Sequence, residues 1–243
     1  MRILIIRHGD PDYSIDSLTE KGWREAEMLA ERIAPMDIKS IYVSPLGRAQ
    51  DTAAATLKRR GEEAVTLPWL REFDVAVTDP VTGVQRGIPW DMLPEDWTKV
   101  PQYYDRDLWY EQPLMKSGDM AGRLREVWGG LDGILAEHGY IREGDLYRAE
   151  RSNDGTIAFF CHFGVQCVML GHLLGISPVI LWHGLMTAPT SVTTIFSEER
   201  REGKAFFRAA SIGDISHLYA KGEEPAFAGR FCEVFSDMSQ RHD

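Results

Sequence analysis

Arg2-Ile3-Leu4-Ile5-Ile6 runs straight into Arg7-His8-Gly9. An apolar run of this length, closed by a charged residue and a glycine, predicts a strand buried on both faces. Ile157 to Cys161 repeats the arrangement and ends in Cys161-His162-Phe163-Gly164. Helical sequence follows both. In open α/β folds, ligands bind in the crevice beyond the carboxyl ends of the strands. Two histidines delivered to that edge, one directly after an arginine, point to phosphate chemistry rather than to core packing.

Working outward from the first strand, a polar loop spans Asp10 to Ser17. A helix is expected over about Glu20 to Ile33, with Trp23, Ala26, Ala30 and Ile33 on one face, and Ser17 with Glu20 reads as a capping box. Ile41 to Val43 is a second short strand. Ser44-Pro45 then reads as a helix start, with Ser44 the cap and Pro45 at the first helical position. Leu46, Ala49, Ala53 and Leu57 form its inner stripe. Val65 to Leu67 is a third strand. A helix over about Asp119 to Glu137 carries Leu124, Val127, Leu131 and Leu135 in register. After strand Ile157–Cys161 come a helix from Val165 to Leu174, then strands Val192–Phe196 and Ala205–Ala209. Strands alternating with helices predict a mostly parallel central sheet.

Residues 74–117 differ from the rest. They hold Trp90, Trp97, Trp109, Tyr103, Tyr104, Tyr110 and five of the twelve prolines, with weak periodicity. The segment reads as an insertion folded over the active edge, within one domain spanning 1–243. It carries eight acidic and four basic residues.

Composition narrows the function. The 243-residue chain carries a formal net charge of −10, which disfavours nonspecific binding to nucleic acid or to an anionic membrane surface. Its three cysteines, Cys161, Cys167 and Cys232, have no framework spacing, which suggests a reducing compartment. No apolar stretch reaches the roughly 18 residues of a membrane span, and the apolar start is too short for a signal-peptide core. A cytoplasmic protein is expected.

A histidine imidazole can attack phosphorus and carry the phosphoryl group covalently. Positive donors must then hold the phosphoryl oxygens, an acid must protonate the leaving oxygen, and a water must follow. Arg7 adjoins His8. Arg48 falls in the first turn of its helix, where a cation opposes the helix dipole at a cost of roughly 0.3–1 kcal/mol unless an anion sits between them. Guanidinium groups grip phosphate oxygens in a bidentate fork. His162 stands where a strand meets a helix N-terminus, itself an anion site. Glu72, after the third strand, is the best placed acid, with Asp10 a nearby carboxylate able to activate water. His138, His172, His183, His217 and His242 lack such context and are assigned structural or surface roles.

Arg7-His8-Gly9, Leu18-Thr19-x-x-Gly22, Ser44-Pro45-Leu46-x-Arg48-Ala49-x-Asp51-Thr52-Ala53, Leu70-Arg71-Glu72 and His162-x-Gly164 together resemble the histidine phosphatase superfamily, also called the phosphoglycerate mutase-like family. The resemblance runs from residue 2 to about 196, with a gap at the insertion. It implies a three-layer α/β/α sandwich, no cofactor, and chemistry that needs no metal. It also implies His8 as the phosphorylated nucleophile, Glu72 as proton donor, and Arg7, Arg48 and His162 as the phosphate pocket. Ser14 stands where the mutases place a phosphate-binding Asn. The mutases read Arg-His-Gly-Glu-Ser-x-Trp-Asn; here the run is Arg7-His8-Gly9-Asp10-Pro11-Asp12-Tyr13-Ser14. They read Glu-Arg-His-Tyr-Gly at the acid; here Glu72 is followed by Phe73-Asp74-Val75. The missing groups are those that would grip the carboxylate of phosphoglycerate. The expectation is therefore a phosphomonoester hydrolase acting on a small phosphorylated metabolite, with mutase-type transfer or a catalytically weak scaffold as alternatives.

Other phosphatase chemistries fit less well. Cysteine phosphatases need Cys-x5-Arg, but Cys167, Leu173 and Met238 stand six residues after the three cysteines. Asp10-Pro11-Asp12 imitates the Asp-x-Asp of magnesium phosphatases but lies beyond the strand end. Walker-type and dinucleotide glycine loops and His-Glu-x-x-His are absent. Oligomeric state is not legible.

Overall fold

The computed structural model describes residues 1–230 and 233–239; Cys232 and His242 lie outside them. Strand β1 (Arg2–Arg7) is buried on both faces. Side chains alternate across a strand, so Ile3 and Ile5 join one core layer and Leu4 and Ile6 the other. The elements that follow are α1 (Glu20–Ile33), β2 (Ser40–Val43), α2 (Gly47–Arg60) and β3 (Val65–Thr66), all near the expected bounds. Beyond residue 117 come α3 (Met120–Glu137), β4 (Tyr140–Glu143), β5 (Leu146–Ala149), β6 (Thr156–Cys161), α4 (Phe163–Leu174), α5 (Pro178–Gly184), β7 (Val192–Arg201), β8 (Lys204–Asp214) and α6 (Ser216–Tyr219).

Eight strands form one central sheet in the order β3-β2-β6-β1-β7-β8-β5-β4. Strands β3, β2, β6 and β1 run parallel. From β7 onward the pairing is antiparallel. The parallel part carries the site. Helices α1 and α2 cover one face through Leu29, Ile33, Ala49 and Ala53. Helices α3, α4 and α5 cover the other through Leu124, Val127, Leu131, Val165, Val168 and Trp182. The architecture is the expected three-layer α/β/α sandwich.

Several boundaries moved for local reasons. Thr19, not Ser17, caps α1: its backbone is extended (φ −66°, ψ 169°) and its side chain accepts from the Gly22 N–H. Ser17 instead lies in a two-residue strand paired with Pro11–Asp12. Trp23 is 42% exposed, so the inner stripe runs through Gly22, Ala26, Leu29 and Ile33. Helix α2 begins at Gly47, with Leu46 at the cap position; Ser44 Oγ accepts from Leu46 N (3.2 Å) and also meets His162. The hairpin β4–β5 went unpredicted. Its strands are short and rich in charge, which suits a sheet edge. Gly144, at φ +60°, supplies its turn.

Residues 74–117 form a small hairpin, Val77–Thr78 with Gln85–Arg86, and four short helical turns. Three of those turns begin with proline, so none is long enough to display a period. What secures the segment is burial. Trp109 is fully buried, edge-on to Trp182 with ring centroids 5.2 Å apart. Truncating such a ring costs about 3–5 kcal/mol.

Candidate active site

Register is what assembles the two histidines. In the parallel pairing of β1 with β6, Ile6 faces Phe160 and Arg7 faces Cys161. The next residue on each strand is His8 and His162, and their rings lie 5.1 Å apart between centroids. On the far side of β6, Val43 of β2 faces Phe160, which brings Ser44 level with the same edge. The backbone at His8 is held from both sides. Its N–H donates to Cys161 O (3.0 Å), and its carbonyl accepts from Thr190 N (3.0 Å).

His8 is 2% exposed. Its Nδ1 lies 2.7 Å from the carbonyl oxygen of Gly9, which can only accept, so Nδ1 carries the proton and Nε2 presents a lone pair. Burial, aided by the charges of Arg7 and Arg48, holds the ring well below its ordinary pKa. It is neutral at pH 7, the form required of a nucleophile. His162 is fully buried and is likewise pushed down, first by burial and then by His8, Arg48 and Arg7. Its Nε2 lies 2.7 Å from Ser44 Oγ.

Both guanidinium groups are nearly buried, at 5% exposure for Arg7 and 9% for Arg48. Arg7 donates to Thr187 O and sits over the Phe163 ring at 5.9 Å. Arg48 is paired with Asp16 and lies 5.4 Å from the Tyr13 ring centroid. Three buried nitrogens in this group have no protein partner: Nε of Arg7, Nε of Arg48 and Nδ1 of His162. Buried N–H donors are rarely left so.

Glu72 enters from the loop after β3 and meets the start of α4. Its Oε1 accepts from Phe73 N (2.8 Å) and Val165 N (3.1 Å). Burial nevertheless pushes the carboxyl above its ordinary pKa, with the backbone N–H bonds pulling the other way. Gly164 is required here, since a Cβ would collide with the Trp90 ring and crowd Glu72 Oε1. That explains the His162-Phe163-Gly164 spelling: Phe163 flanks Arg7, and the glycine admits the acid.

Arg7, Arg48 and Glu72 share the wall of one cavity of about 800 Å³, and His8 and His162 are buried beside them. Ser14 does not join them. It is exposed, and its hydroxyl donates to Asp12 (2.6 Å). Asp10 is also drawn elsewhere, accepting from the Thr19 hydroxyl (2.7 Å). His183, read as structural or surface, instead lines the cavity. Among the other described histidines, His138 meets Tyr42, His172 meets Asp132 and His217 meets Thr190.

Asp16 was not anticipated. It adopts a left-handed conformation (φ +49°), which Asp tolerates better than most residues. One carboxylate oxygen accepts from Gly47 N (2.7 Å) and the other pairs with Arg48. It thus supplies the negative charge that the first turn of α2 lacks. Among the described residues, no group of three or more His, Cys, Asp or Glu is placed to hold a metal ion, and no helix is long and apolar enough to cross a membrane.

The histidine phosphatase superfamily (branch 1) matches residues 3–139. The chain belongs to that superfamily. Solved structures share the fold of this superfamily member. A phosphoserine phosphatase from Entamoeba histolytica, determined with phosphoserine, is 18% identical with a TM-score of 0.59, covering 89% of this chain and 98% of that one. A mycobacterial glucosyl-3-phosphoglycerate phosphatase is 20% identical with a TM-score of 0.55, covering 87% and 98%. Curated sequences are similar over shorter stretches. A probable phosphoglycerate mutase of Cronobacter sakazakii is 31% identical over 88 residues, 32% of this chain and 41% of that protein. A 2,3-bisphosphoglycerate-dependent phosphoglycerate mutase of Thermoplasma acidophilum is 37% identical over 73 residues, 26% and 36%. The matched stretch thus spans about two fifths of these mutases.

Proposed function

We propose that this superfamily member hydrolyses phosphomonoesters through a phosphohistidine at His8. The observation that carries the reading is the set of three buried nitrogens without protein partners around a neutral His8. A tetrahedral phosphoryl group brings several acceptor oxygens of the kind these donors lack. His8 Nε2 attacks phosphorus, forming an N–P bond as the P–O bond to the alcohol breaks. Glu72, its carboxyl pushed above the ordinary pKa by burial, gives its proton to the departing oxygen. Water then attacks phosphorus, Glu72 takes back a proton, and His8 leaves with inorganic phosphate released. Arg7 and Arg48 balance the charge spread over the transferring group. Ser44 Oγ already accepts from Leu46 N. By donating its own proton to His162 Nε2, it leaves Nδ1–H of His162 to face the phosphoryl oxygens. No step calls on a metal.

A mutase is the second reading, favoured by the names of the sequence relatives. Asp74, a carboxylate, lines the cavity just after the acid, where the mutase motif carries basic and tyrosine groups. Paired with Arg71, it offers a phosphoglycerate carboxylate no free cation, which favours water as acceptor.

The test is rapid quenching with a labelled phosphomonoester in the presence of a chelator. An acid-labile phosphoenzyme that His8→Ala abolishes, with inorganic phosphate as product, supports the hydrolase. Turnover by His8→Ala near the parent level removes the nucleophile. Exclusive transfer of label between positions of phosphoglycerate, with no phosphate released, favours the mutase.

A further inference from the structure

The phosphate end accounts for only part of the cavity. At about 800 Å³ it is near the upper end of small-molecule sites, which run roughly 300–1,000 Å³. A three-carbon phosphate fills only a corner. The remaining wall is built from Ile88, Trp90, Phe163, Trp182, Leu185 and Met186. Trp90 leans on Trp182 with centroids 5.6 Å apart. The indole N–H of Trp182 is already donated to Gly164 O (3.0 Å), so what that ring offers a ligand is carbon. Met186, at 52% exposure, extends the apolar surface to the rim.

The charges agree with that chemistry. Away from Arg7 and Arg48, the described cation in the wall is Arg230, which is paired with Glu233. Asp74 and Asp91 lie in the same wall, paired with Arg71 and Arg86. Burial holds His183 below its ordinary pKa, so it adds no positive charge at neutral pH. A second anionic group on a substrate would leave water for a described surface that, away from Arg7 and Arg48, offers no unpaired cation.

From this lining we propose that the preferred substrate is a phosphomonoester of a bulky, apolar alcohol carrying no negative charge, its carbon framework seated between Trp90, Phe163 and Met186. This rests on the hydrolase reading, since His8 and Glu72 must perform the transfer.

The probe pair is benzyl phosphate and glycerol 3-phosphate, both of which release a primary alkoxide, so that leaving-group acidity does not decide the outcome. 3-Phosphoglycerate serves as the anionic comparison. A kcat/KM for benzyl phosphate at least about tenfold above both others supports the inference, that being the scale on which apolar pockets discriminate. In Met186→Asp, a half-exposed position, the KM for benzyl phosphate should rise several-fold with kcat changed less than about twofold. Equal or better turnover of glycerol 3-phosphate or 3-phosphoglycerate by the parent overturns the inference and leaves the hydrolase standing. No phosphate released from any ester, and no phosphoenzyme, overturns the hydrolase reading and this one with it.

Discussion

The cavity has two ends built by different means. At the phosphate end every group sits on or beside a regular element: His8 and His162 after neighbouring parallel strands, Arg48 in the first turn of α2, Glu72 against the first turn of α4. The opposite wall comes from Ile88, Trp90 and Asp91 of the 74–117 segment, the end of α5, and residues 228–230. The first end relies on backbone geometry that few sequences satisfy. The second relies on packing of large rings, which tolerates many solutions. The proposed mechanism therefore places chemistry on the rigid part, and the proposed selectivity on the part free to vary.

Four experiments break or sharpen this division. Glu72→Gln couples the two ends, because the proposed acid serves whichever alcohol leaves. Turnover of benzyl phosphate should fall by about 10²–10⁴, the usual contribution of a proton donor, whereas an ester of an acidic phenol should lose far less. Equal losses on both would remove Glu72 as the acid. With a raised carboxyl pKa, the parent's rate should decline as pH rises through that value. Because His8 is held well below 6.5, activity should persist on the acid side of neutrality.

Arg48→Ala removes a charge from the phosphate end alone. A loss of about 10²–10³-fold is expected for every ester, in line with a single oxyanion donor. A loss confined to bulky substrates would mean that Arg48 serves the other wall.

Asp16→Ala should cost less, about tenfold in kcat, together with about 1 kcal/mol of stability from the lost bond to Gly47 N. Asp16→Asn keeps an acceptor for that N–H, and should recover stability ahead of activity. Parallel recovery of both would reduce Asp16 to a helix cap with no hold on Arg48.

The effect furthest from the chemistry lies behind the wall, and it acts on stability rather than turnover. Glu25 is fully buried, accepting from Ala226 N (3.0 Å) and Asp10 N (3.3 Å). Burial raises its pKa from 4.5 to about 7. Between those values the unfolded chain ionises first. Its contribution is thus complete below about pH 4.5 and is lost as pH rises through 7, by roughly 3 kcal/mol in all at about 1.4 kcal/mol per unit. Denaturant titrations at pH 5 and pH 8 should differ less in Glu25→Gln than in the parent. An unchanged difference would show that the segment around Ala226 is held independently of this carboxyl.

Much of this molecule could be read from its residues in order. A strand buried on both faces must be a continuous apolar run, and a helix against a sheet must repeat its apolar residues every three or four, so β1, β6, α1, α3 and α4 were visible. The junctions holding His8, Arg48, Glu72 and His162 followed from them. The rest depended on distance in space. Ser14 was given to the site by position in a motif, yet its hydroxyl found Asp12 two residues away. Asp16 and His183 belong to the site through neighbours far along the chain, and nothing in their own surroundings announced it. The register that sets His8 beside His162, the Gly164 contact that admits Glu72 and Trp90, and the rings lining the cavity were decided only when the chain folded. Local periodicity records which face of an element is dry, whereas a site requires side chains from many elements to converge.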